Sequence, residues 1–159
     1  MDTPSTVSLF PFLPFYCFNA NMNKEAIAAN LRSHHLKVTP QRLKIVESLN
    51  TFGHLNIDML YQEVREAYPN VSLATVYKNI AIMTDSGLLE EVKIPEKKSV
   101  FEIRKEPHLH LHCTRCGKIE DIEVDLEALA EKTQNISGFR IHHADLVFGG
   151  ICPECQEED

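Results

Sequence analysis

Two Cys-x-x-Cys pairs constrain the fold of this 159-residue chain more than any other feature. Cys113 and Cys116 form the first pair, Cys152 and Cys155 form the second, and 35 residues lie between the pairs. Four such thiolates can surround one tetrahedral zinc ion at about 2.3 Å for each bond, or they can form two disulfides. We expect zinc, because no basic segment precedes the apolar N-terminal stretch, as it would in a secretory signal, and cytosolic thiols stay reduced.

The segment that contains both pairs, residues 105–159, is predicted to be a small mixed domain. "LHLHC", "KIEDIEV" and "FRIHHADLVF" are strand-like, and "DLEALAEKTQNI" has the periodicity of a helix. A β-α-β unit of about 55 residues needs a covalent or metal staple, or a partner chain, to be stable. Zinc binding would supply that stabilisation directly as folding free energy.

Residues 22–104 have helical periodicity followed by a β-hairpin. Thr39 and Ser72 are predicted helix caps, Pro40 is a first helical residue, and Gly87 ends the fourth helix. "LLEEVKI" and "SVFEIR" around "PEKK" predict the hairpin. This order indicates a winged helix-turn-helix, with an unrelated helical bundle as the alternative. The predicted inward positions of the four helices are Ile27, Leu31 and Leu36; Leu43, Val46 and Leu49; Ile57, Leu60, Tyr61, Val64 and Tyr68; and Leu73, Val76, Ile80 and Met83.

The first 21 residues do not fit either pattern. "VSLFPFLPFYCF" is apolar, but Pro11 and Pro14 are incompatible with a regular helix. We expect a disordered extension or a start codon assigned too early, and this part also contains the isolated Cys17. No apolar run approaches the roughly 18 residues of a membrane helix, so we expect no membrane association and a cytoplasmic protein.

The net charge of −7 is unevenly distributed. Residues 22–88 contain seven Lys or Arg against six Asp or Glu, whereas residues 89–159 contain nine against sixteen. A nearly neutral part followed by an acidic one indicates two domains with different partners.

Three alternating histidines, His108, His110 and His112, precede the first cysteine pair. On a strand their side chains would project to the same side. They suit a second ion with nitrogen and oxygen ligands, because the sulfurs already fill the four positions of a zinc site. The alternative is a solvated polar face. The nearest acidic candidates are Glu102, Glu120 and Asp121.

Several separated motifs resemble the ferric uptake regulator family: "TPQR" at 39–42, "SLATVYKNIAIMTDSGLL", "HLHLHCTRCGKIEDIE" and the final "CPEC". The resemblance covers residues 23–156. It implies a homodimeric, metal-dependent repressor that binds double-stranded DNA at an AT-rich palindromic operator. The implied fold is α+β: an N-terminal winged helix-turn-helix over residues 22–104, followed by a small α/β dimerisation domain over 105–159 with a structural zinc site at the four cysteines.

The resemblance also implies a regulatory ion, Fe²⁺ or Mn²⁺, between the domains. Carried over by motif, its ligands are His54, Glu102, His108, His110 and Asp121. The closest branch is that of the peroxide-stress repressors, because Asp121 stands where iron sensors tend to have Glu and the spacing from Glu102 to His108 is short. In that branch an iron-catalysed reaction with peroxide oxidises a histidine ligand, here His54 or His108. Glu102 departs from the branch, where Asp is usual, which leaves an iron-responsive regulator as the alternative.

The fourth predicted helix supplies the candidate DNA-binding residues. Thr75 can contact thymine methyl groups, Lys78 suits phosphate, and Asn79 can read adenine or phosphate. The resemblance implies a DNA contact for Tyr77, whose alternative place is the edge of the core. Arg42 is a further phosphate candidate, as is Lys44.

A zinc enzyme and a metallochaperone belong to different functional classes. HExxH is absent, and no base stands beside a nucleophile, so we expect no enzymatic activity. A metallochaperone would not need a winged helix. His112, His142 and His143 have no assigned role, with a displaced metal ligand as the alternative for His143.

Overall fold

The computed structural model describes residues 22–157, so the extension expected over residues 1–21 lies outside the described residues. The helices are α1 Lys24–Ser33, α2 Pro40–Phe52, α3 Ile57–Ala67, α4 Leu73–Asp85, α5 Leu126–Ser137 and α6 Pro153–Gln156. The strands are β1 Leu55–Asn56, β2 Leu89–Val92, β3 Val100–Ile103, β4 Leu109–Cys113, β5 Ile119–Ile122 and β6 Val147–Gly150. The α+β class is confirmed.

Polar caps fix where the first four helices begin. In each helix the side chain of the preceding residue accepts a hydrogen bond from a backbone N–H in the first turn, which satisfies a donor that has no partner within the helix. The predicted caps Thr39 and Ser72 and the first helical residue Pro40 are confirmed. After α4 the chain reverses at Gly87, whose φ of +77° favours glycine. The four capping residues are Asn23, Thr39, Asn56 and Ser72.

The helices pack on one another around a continuous apolar cluster. Leu36, Leu43 and Tyr61 are only partly buried, at the edge of this cluster. Two predicted inward positions are wrong: Leu73, the first residue of α4, lies outside the cluster and is 39% exposed, and Tyr68 follows the last residue of α3 and is 36% exposed. The cluster consists of Ile27, Leu31, Ile45, Val46, Leu49, Leu55, Ile57, Leu60, Val64, Val76, Ile80, Met83, Leu88 and Leu89.

A three-stranded sheet of order β1-β3-β2 completes the first half of the molecule. The hairpin of β2 and β3 is confirmed, with Val92 paired with Val100 next to the turn. The two-residue strand β1 was not predicted, because two residues are too short for any periodicity. It pairs antiparallel with β3, with Leu55 opposite Phe101.

The second half contains a sheet of order β5-β4-β6 and the helix α5, which begins after the capping residue Asp125. β4 is antiparallel to β5 and parallel to β6. The strand predicted over "FRIHHADLVF" is wrong for most of its length, since only Val147–Gly150 is a strand. Its partner β4 begins at Leu109, and the carbonyl of Leu146 accepts a hydrogen bond from the His110 N–H at 2.9 Å, but residues 138–146 have no regular structure.

Residues 104–108 connect the two sheets without regular structure. The predicted domain boundary at residue 104 therefore coincides with the end of β3 and a change of sheet, and the division into domains stays a prediction. Among residues 22–157, the helices are all too short or too polar to span a lipid bilayer.

Candidate metal centres

The four paired cysteines converge in the second half of the molecule. Cys113 ends β4, Cys116 lies in the turn that follows, and the other two flank the start of α6. The four sulfur atoms lie within 4.8 Å of one another. All four cysteines are free thiols, so neither of the alternative disulfides is present. Four convergent sulfurs without a disulfide are the donor set of a tetrahedral zinc site.

The electrostatics of the cysteine cluster also fit a dication. Backbone N–H groups of Cys116 and Cys152 donate to the Cys113 sulfur and lower the pKa of that thiol to about 6. The Cys155 backbone N–H favours the Cys152 thiolate, but desolvation and the neighbouring Glu154 and thiol groups raise the pKa of Cys152 to about 12. Several thiolates cannot be charged together in so small a volume unless a cation neutralises them.

A second cluster joins residues of the two sheets. Extending the β1–β3 register by one residue places His54 opposite Glu102, and in the other sheet His110 is directly opposite Asp121. His108 precedes β4 and lies on the same side of the chain as His110. Two cross-strand pairs, one from each sheet, therefore face each other, and the five residues place their ligand atoms within 4.8 Å of one another.

The distances within this second cluster are those of groups that point at one centre. Glu102 Oε1 lies 3.0 Å from His110 Nε2 and 3.2 Å from His108 Nε2. His54 Nε2 lies 3.2 Å from Asp121 Oδ1 and 3.4 Å from Glu102 Oε2. His108 Nδ1 donates to the Glu106 carbonyl at 2.9 Å, so in the neutral ring Nε2 is the nitrogen without a proton and is the one that can bind a metal.

Three buried atoms of this cluster form no hydrogen bond of good geometry, although oppositely charged groups lie 3.0–3.4 Å away: His54 Nε2, Glu102 Oε2 and Asp121 Oδ1. A buried polar atom has lost its water, so an ill-formed hydrogen bond replaces that water only in part. The three atoms come from three ligands that the resemblance implied. A divalent cation that accepts nitrogen and oxygen ligands would satisfy all three, so the residues present fit such an ion.

The charges in the second cluster depend on one another. Burial alone raises the pKa of Glu102, but its contacts with His108, His110 and His54 and the charge of Lys105 hold that pKa well below its usual range. Burial disfavours the His54 cation, yet the carboxylates of Asp121 and Glu102, 3.2 and 3.4 Å from Nε2, raise the pKa of His54 to about 9. Without a metal, positive charge must come from the histidines and from Lys105.

Lys105 belongs to this cluster and was missed in the sequence. Its Nζ lies 3.0 Å from Glu102 Oε2 and donates a hydrogen bond to Asp121 Oδ2. Nothing in the pattern "FEIRKEPHLH" distinguishes it from Arg104, which lies 3.8 Å from Glu90 instead. The irregular path of residues 104–108 decides which of the two basic residues enters the site.

The remaining histidines lie outside the five-residue group. His112 is buried, so the alternative of a solvated polar face is wrong for this residue. It lies two residues after His110 on β4, opposite Ile119 of β5. His143 forms a third possible ligand group with Glu90 and Asp145. His143 and Asp145 are each 64% exposed and lie 2.8 Å apart, so their charges are well solvated.

The exposed face of α4 contains most of the predicted DNA-contacting residues. Thr75 and Lys78 are exposed, and Tyr77 is 52% exposed, so its alternative place at the edge of the core is wrong. Asn79 is partly buried, and its side-chain oxygen accepts a hydrogen bond from Arg42 Nε at 3.0 Å. Arg42 and Asn79 thus hold α2 against α4, and their contact with DNA stays a prediction.

The chain is similar to known proteins of one family. A model of the ferric uptake regulator family matches residues 33–148. The peroxide-responsive repressor PerR of Staphylococcus epidermidis is 32% identical over 136 residues, which is 84% of this chain and 91% of that protein. The peroxide operon regulator of Bacillus subtilis is 33% identical over 138 residues, covering 86% of this chain and 94% of that protein.

A solved structure agrees with these relatives. The Campylobacter jejuni peroxide stress regulator is similar with a TM-score of 0.66 at 36% identity, over 81% of this chain and 98% of that one. The family match covers well over half of the chain, and the relatives match along nearly their whole length. The chain belongs to the ferric uptake regulator family.

Proposed function

We propose that this protein is a metal-dependent, DNA-binding transcriptional repressor that responds to peroxide. The observation that supports it most directly is the convergence of three buried atoms without a well-formed hydrogen bond, from His54, Glu102 and Asp121. The first two lie in or beside the winged-helix sheet, and the third lies in the second sheet. One Fe²⁺ or Mn²⁺ ion held by these residues, His108 and His110 would join the two halves.

Such an ion would act as a switch through its preference for one arrangement of the halves. An ion that binds only when the two sheets face each other shifts the population toward that arrangement, by an amount set by its differential affinity. In a homodimer this would place two α4 helices at the spacing of successive major grooves, about 34 Å. Zn²⁺ at the four cysteines would hold the second half together in both states.

The surface of the second half supports the homodimer. Large apolar side chains are exposed there, including Phe139 at 75% and Phe148 at 55%. A monomer rarely leaves so many apolar side chains in water, and they suit a second copy of the chain. The exposed apolar residues of this half are Leu111, Val124, Leu129, Ile136, Phe139, Phe148 and Ile151.

The exposed face of α4 supports the DNA-binding role. Thr75, Tyr77 and Lys78 are exposed and can enter a major groove, with Arg42 near them in the first turn of α2. The region around α4 has almost no net positive charge, so non-specific affinity for DNA would be weak and binding would depend on the dimer and its ion. The proposed operator is an AT-rich palindrome. The proposed location of the protein is the cytoplasm, where it would meet such DNA.

The peroxide response is proposed from the relatives and from the ligands. Both curated relatives and the Campylobacter jejuni structure carry peroxide in their names. Fe²⁺ would supply the electrons that reduce hydrogen peroxide, whereas Mn²⁺ would not. A cavity of about 470 Å³ borders Glu102, His108 and His110 and gives a small oxidant access. In the net reaction one oxygen of hydrogen peroxide would be inserted at a ring C–H of His54 or His108 and the other would leave as water, with the iron as catalyst. The oxidised ring would be a weaker ligand and would release the ion.

A single pair of measurements tests the proposed function. Mobility shifts on AT-rich palindromic DNA should require Mn²⁺ or Fe²⁺ and should disappear in His54→Ala, while His142→Ala, an exposed histidine outside the cluster, should bind as before. Peroxide should abolish binding by the iron form and leave a histidine peptide heavier by one oxygen. Binding without any metal would contradict the switch.

The iron-responsive alternative is favoured by one observation, the buried glutamate at position 102. It predicts that DNA binding follows iron supply and that peroxide leaves the histidine peptides unmodified. Mass spectrometry of the peptides that contain His54 and His108 therefore separates the two functions.

A further inference from the structure

Lys105 lies between the two carboxylates of the regulatory site. Its Nζ is 3.0 Å from Glu102 Oε2 and donates a hydrogen bond to Asp121 Oδ2. Glu102 belongs to β3 in the first sheet and Asp121 to β5 in the second. The ammonium group therefore holds together the same two halves that the regulatory ion is proposed to join.

The ammonium and a divalent ion would use overlapping positions. Glu102 Oε2, which Lys105 approaches, is one of the three buried atoms without a well-formed hydrogen bond, and His54 Nε2 lies 3.4 Å from the same oxygen. Two cations that share one carboxylate at contact distance repel each other, and the repulsion is strong where the carboxylate is only 2% exposed.

Lys105 is also able to leave. Its side chain is 35% exposed, so the flexible four-carbon stem can carry the ammonium group into water when an ion arrives. A residue that can occupy the site and then vacate it is suited to compete with the ion.

We propose that Lys105 is a tethered competitor that lowers the affinity of the regulatory site for divalent ions. This inference rests on the proposed function, because it assumes that the five-residue cluster binds the ion. Lys105 would neutralise Glu102 and Asp121 while the site has no ion, and the ion must replace it. The residue would thereby set the ion concentration at which the repressor closes.

The test is the Mn²⁺ dissociation constant of the zinc-loaded dimer, measured by calorimetry. Lys105→Gln should bind Mn²⁺ about tenfold more tightly than the unaltered protein. Lys105→Arg keeps the charge and should bind Mn²⁺ with nearly the unaltered affinity. Lys97→Gln, which removes an exposed positive charge between β2 and β3, controls for net charge and should change the constant less than about twofold.

A second measurement distinguishes competition from a role in holding the ligands. Without Mn²⁺, Lys105→Gln should unfold at a lower temperature, because its two carboxylates lose the ammonium counter-charge and keep only the histidines. Added Mn²⁺ should then raise its unfolding temperature by more than it raises that of the unaltered protein. If the glutamine variant does not fold, Lys105→Met, which keeps the apolar stem, replaces it in both measurements.

Unchanged or weaker Mn²⁺ binding by Lys105→Gln would overturn the proposal, because a positioning residue or a bystander gives those results. If His54→Ala binds Mn²⁺ with the same affinity as the unaltered protein, the proposed function itself is contradicted, and the inference with it. Tighter binding by the glutamine variant and unchanged binding by the arginine variant would support competition.

Discussion

The two halves of the molecule are stabilised in different ways. The first half buries a continuous cluster of fourteen apolar residues supplied by all four helices and the adjoining sheet. Beyond residue 104, the buried apolar side chains within the described chain are Leu109, Cys113, Leu126 and Cys155, and two of these four belong to the cysteine cluster. The first half is held by water exclusion, whereas the second has a small apolar core and, under the proposed function, would rely on zinc at the four cysteines and on a partner chain.

The contact between the halves is small and mixed in character. Val92, Ile94 and Val100 of the winged-helix hairpin form a separate buried group, against which Ile119 and Val147 of the second half are packed. Beside it lies the polar cluster of histidines and carboxylates. An apolar contact of this size gives little preference for one arrangement of the halves, which leaves the polar cluster and its ion to decide it.

Loss of zinc is expected to give the largest difference in stability between the two halves. Cys113→Ser should unfold the second half, because structural zinc contributes on the order of 10 kcal/mol of apparent binding free energy and the apolar core there is small. Hydrogen exchange should show loss of protection in β4, β5 and β6 with α1–α4 still protected. Cys17→Ser, outside the two pairs, should keep the zinc content. Retained protection in β4 would refute the dependence on zinc.

A core substitution in the first half should destabilise that half and leave the zinc site of the second half intact. Leu60 is fully buried in α3, and Leu60→Ala should lower the free energy of unfolding of the first half by about 2–5 kcal/mol. Met59 in the same helix is 45% exposed, so Met59→Ala should change it by less than about 0.5 kcal/mol. Denaturant titration followed by circular dichroism measures both, and zinc content should be unaffected in each variant.

The partner chain is tested by a charge on the apolar surface of the second half. Phe148 is 55% exposed on β6, and Phe148→Asp should weaken the homodimer by about 2 kcal/mol or more, because an apolar contact is replaced by a buried charge. Phe52 is equally exposed, at 56%, but lies at the end of α2 in the first half. Phe52→Asp should leave the dimer intact in analytical ultracentrifugation, and dissociation of both variants would place the interface elsewhere.

The sequence predicted the elements whose signals are local. Caps such as Thr39 and Ser72, helical periodicity, and two Cys-x-x-Cys pairs depend on neighbouring residues, and the structure agrees with them. The cluster of His54 with residues of β3, β4 and β5 came from the family resemblance, since no periodicity links position 54 with position 121. Lys105, the strand β1 and the irregular path of residues 138–146 depend on which strands pair, and no local pattern encodes that.

The smallest effect is expected when equivalent helix-capping side chains are removed from the two halves. Ser72→Ala and Asp125→Ala each remove a side chain that accepts a hydrogen bond in the first turn, of α4 and α5 respectively, at a local cost of about 1 kcal/mol. α4 buries Val76, Ile80 and Met83, so its beginning should be coupled to the core and Ser72→Ala should lower the unfolding midpoint of the whole first half.

α5 buries only Leu126, and its beginning can fray while the rest of the second half stays folded. Asp125→Ala should therefore speed hydrogen exchange of amides in the first turn of α5 and leave the unfolding midpoint almost unchanged. An equal shift of the midpoint in both variants would mean that the halves unfold as one cooperative unit. The difference between a core-held and a metal-held half would then be one of composition, without a counterpart in stability.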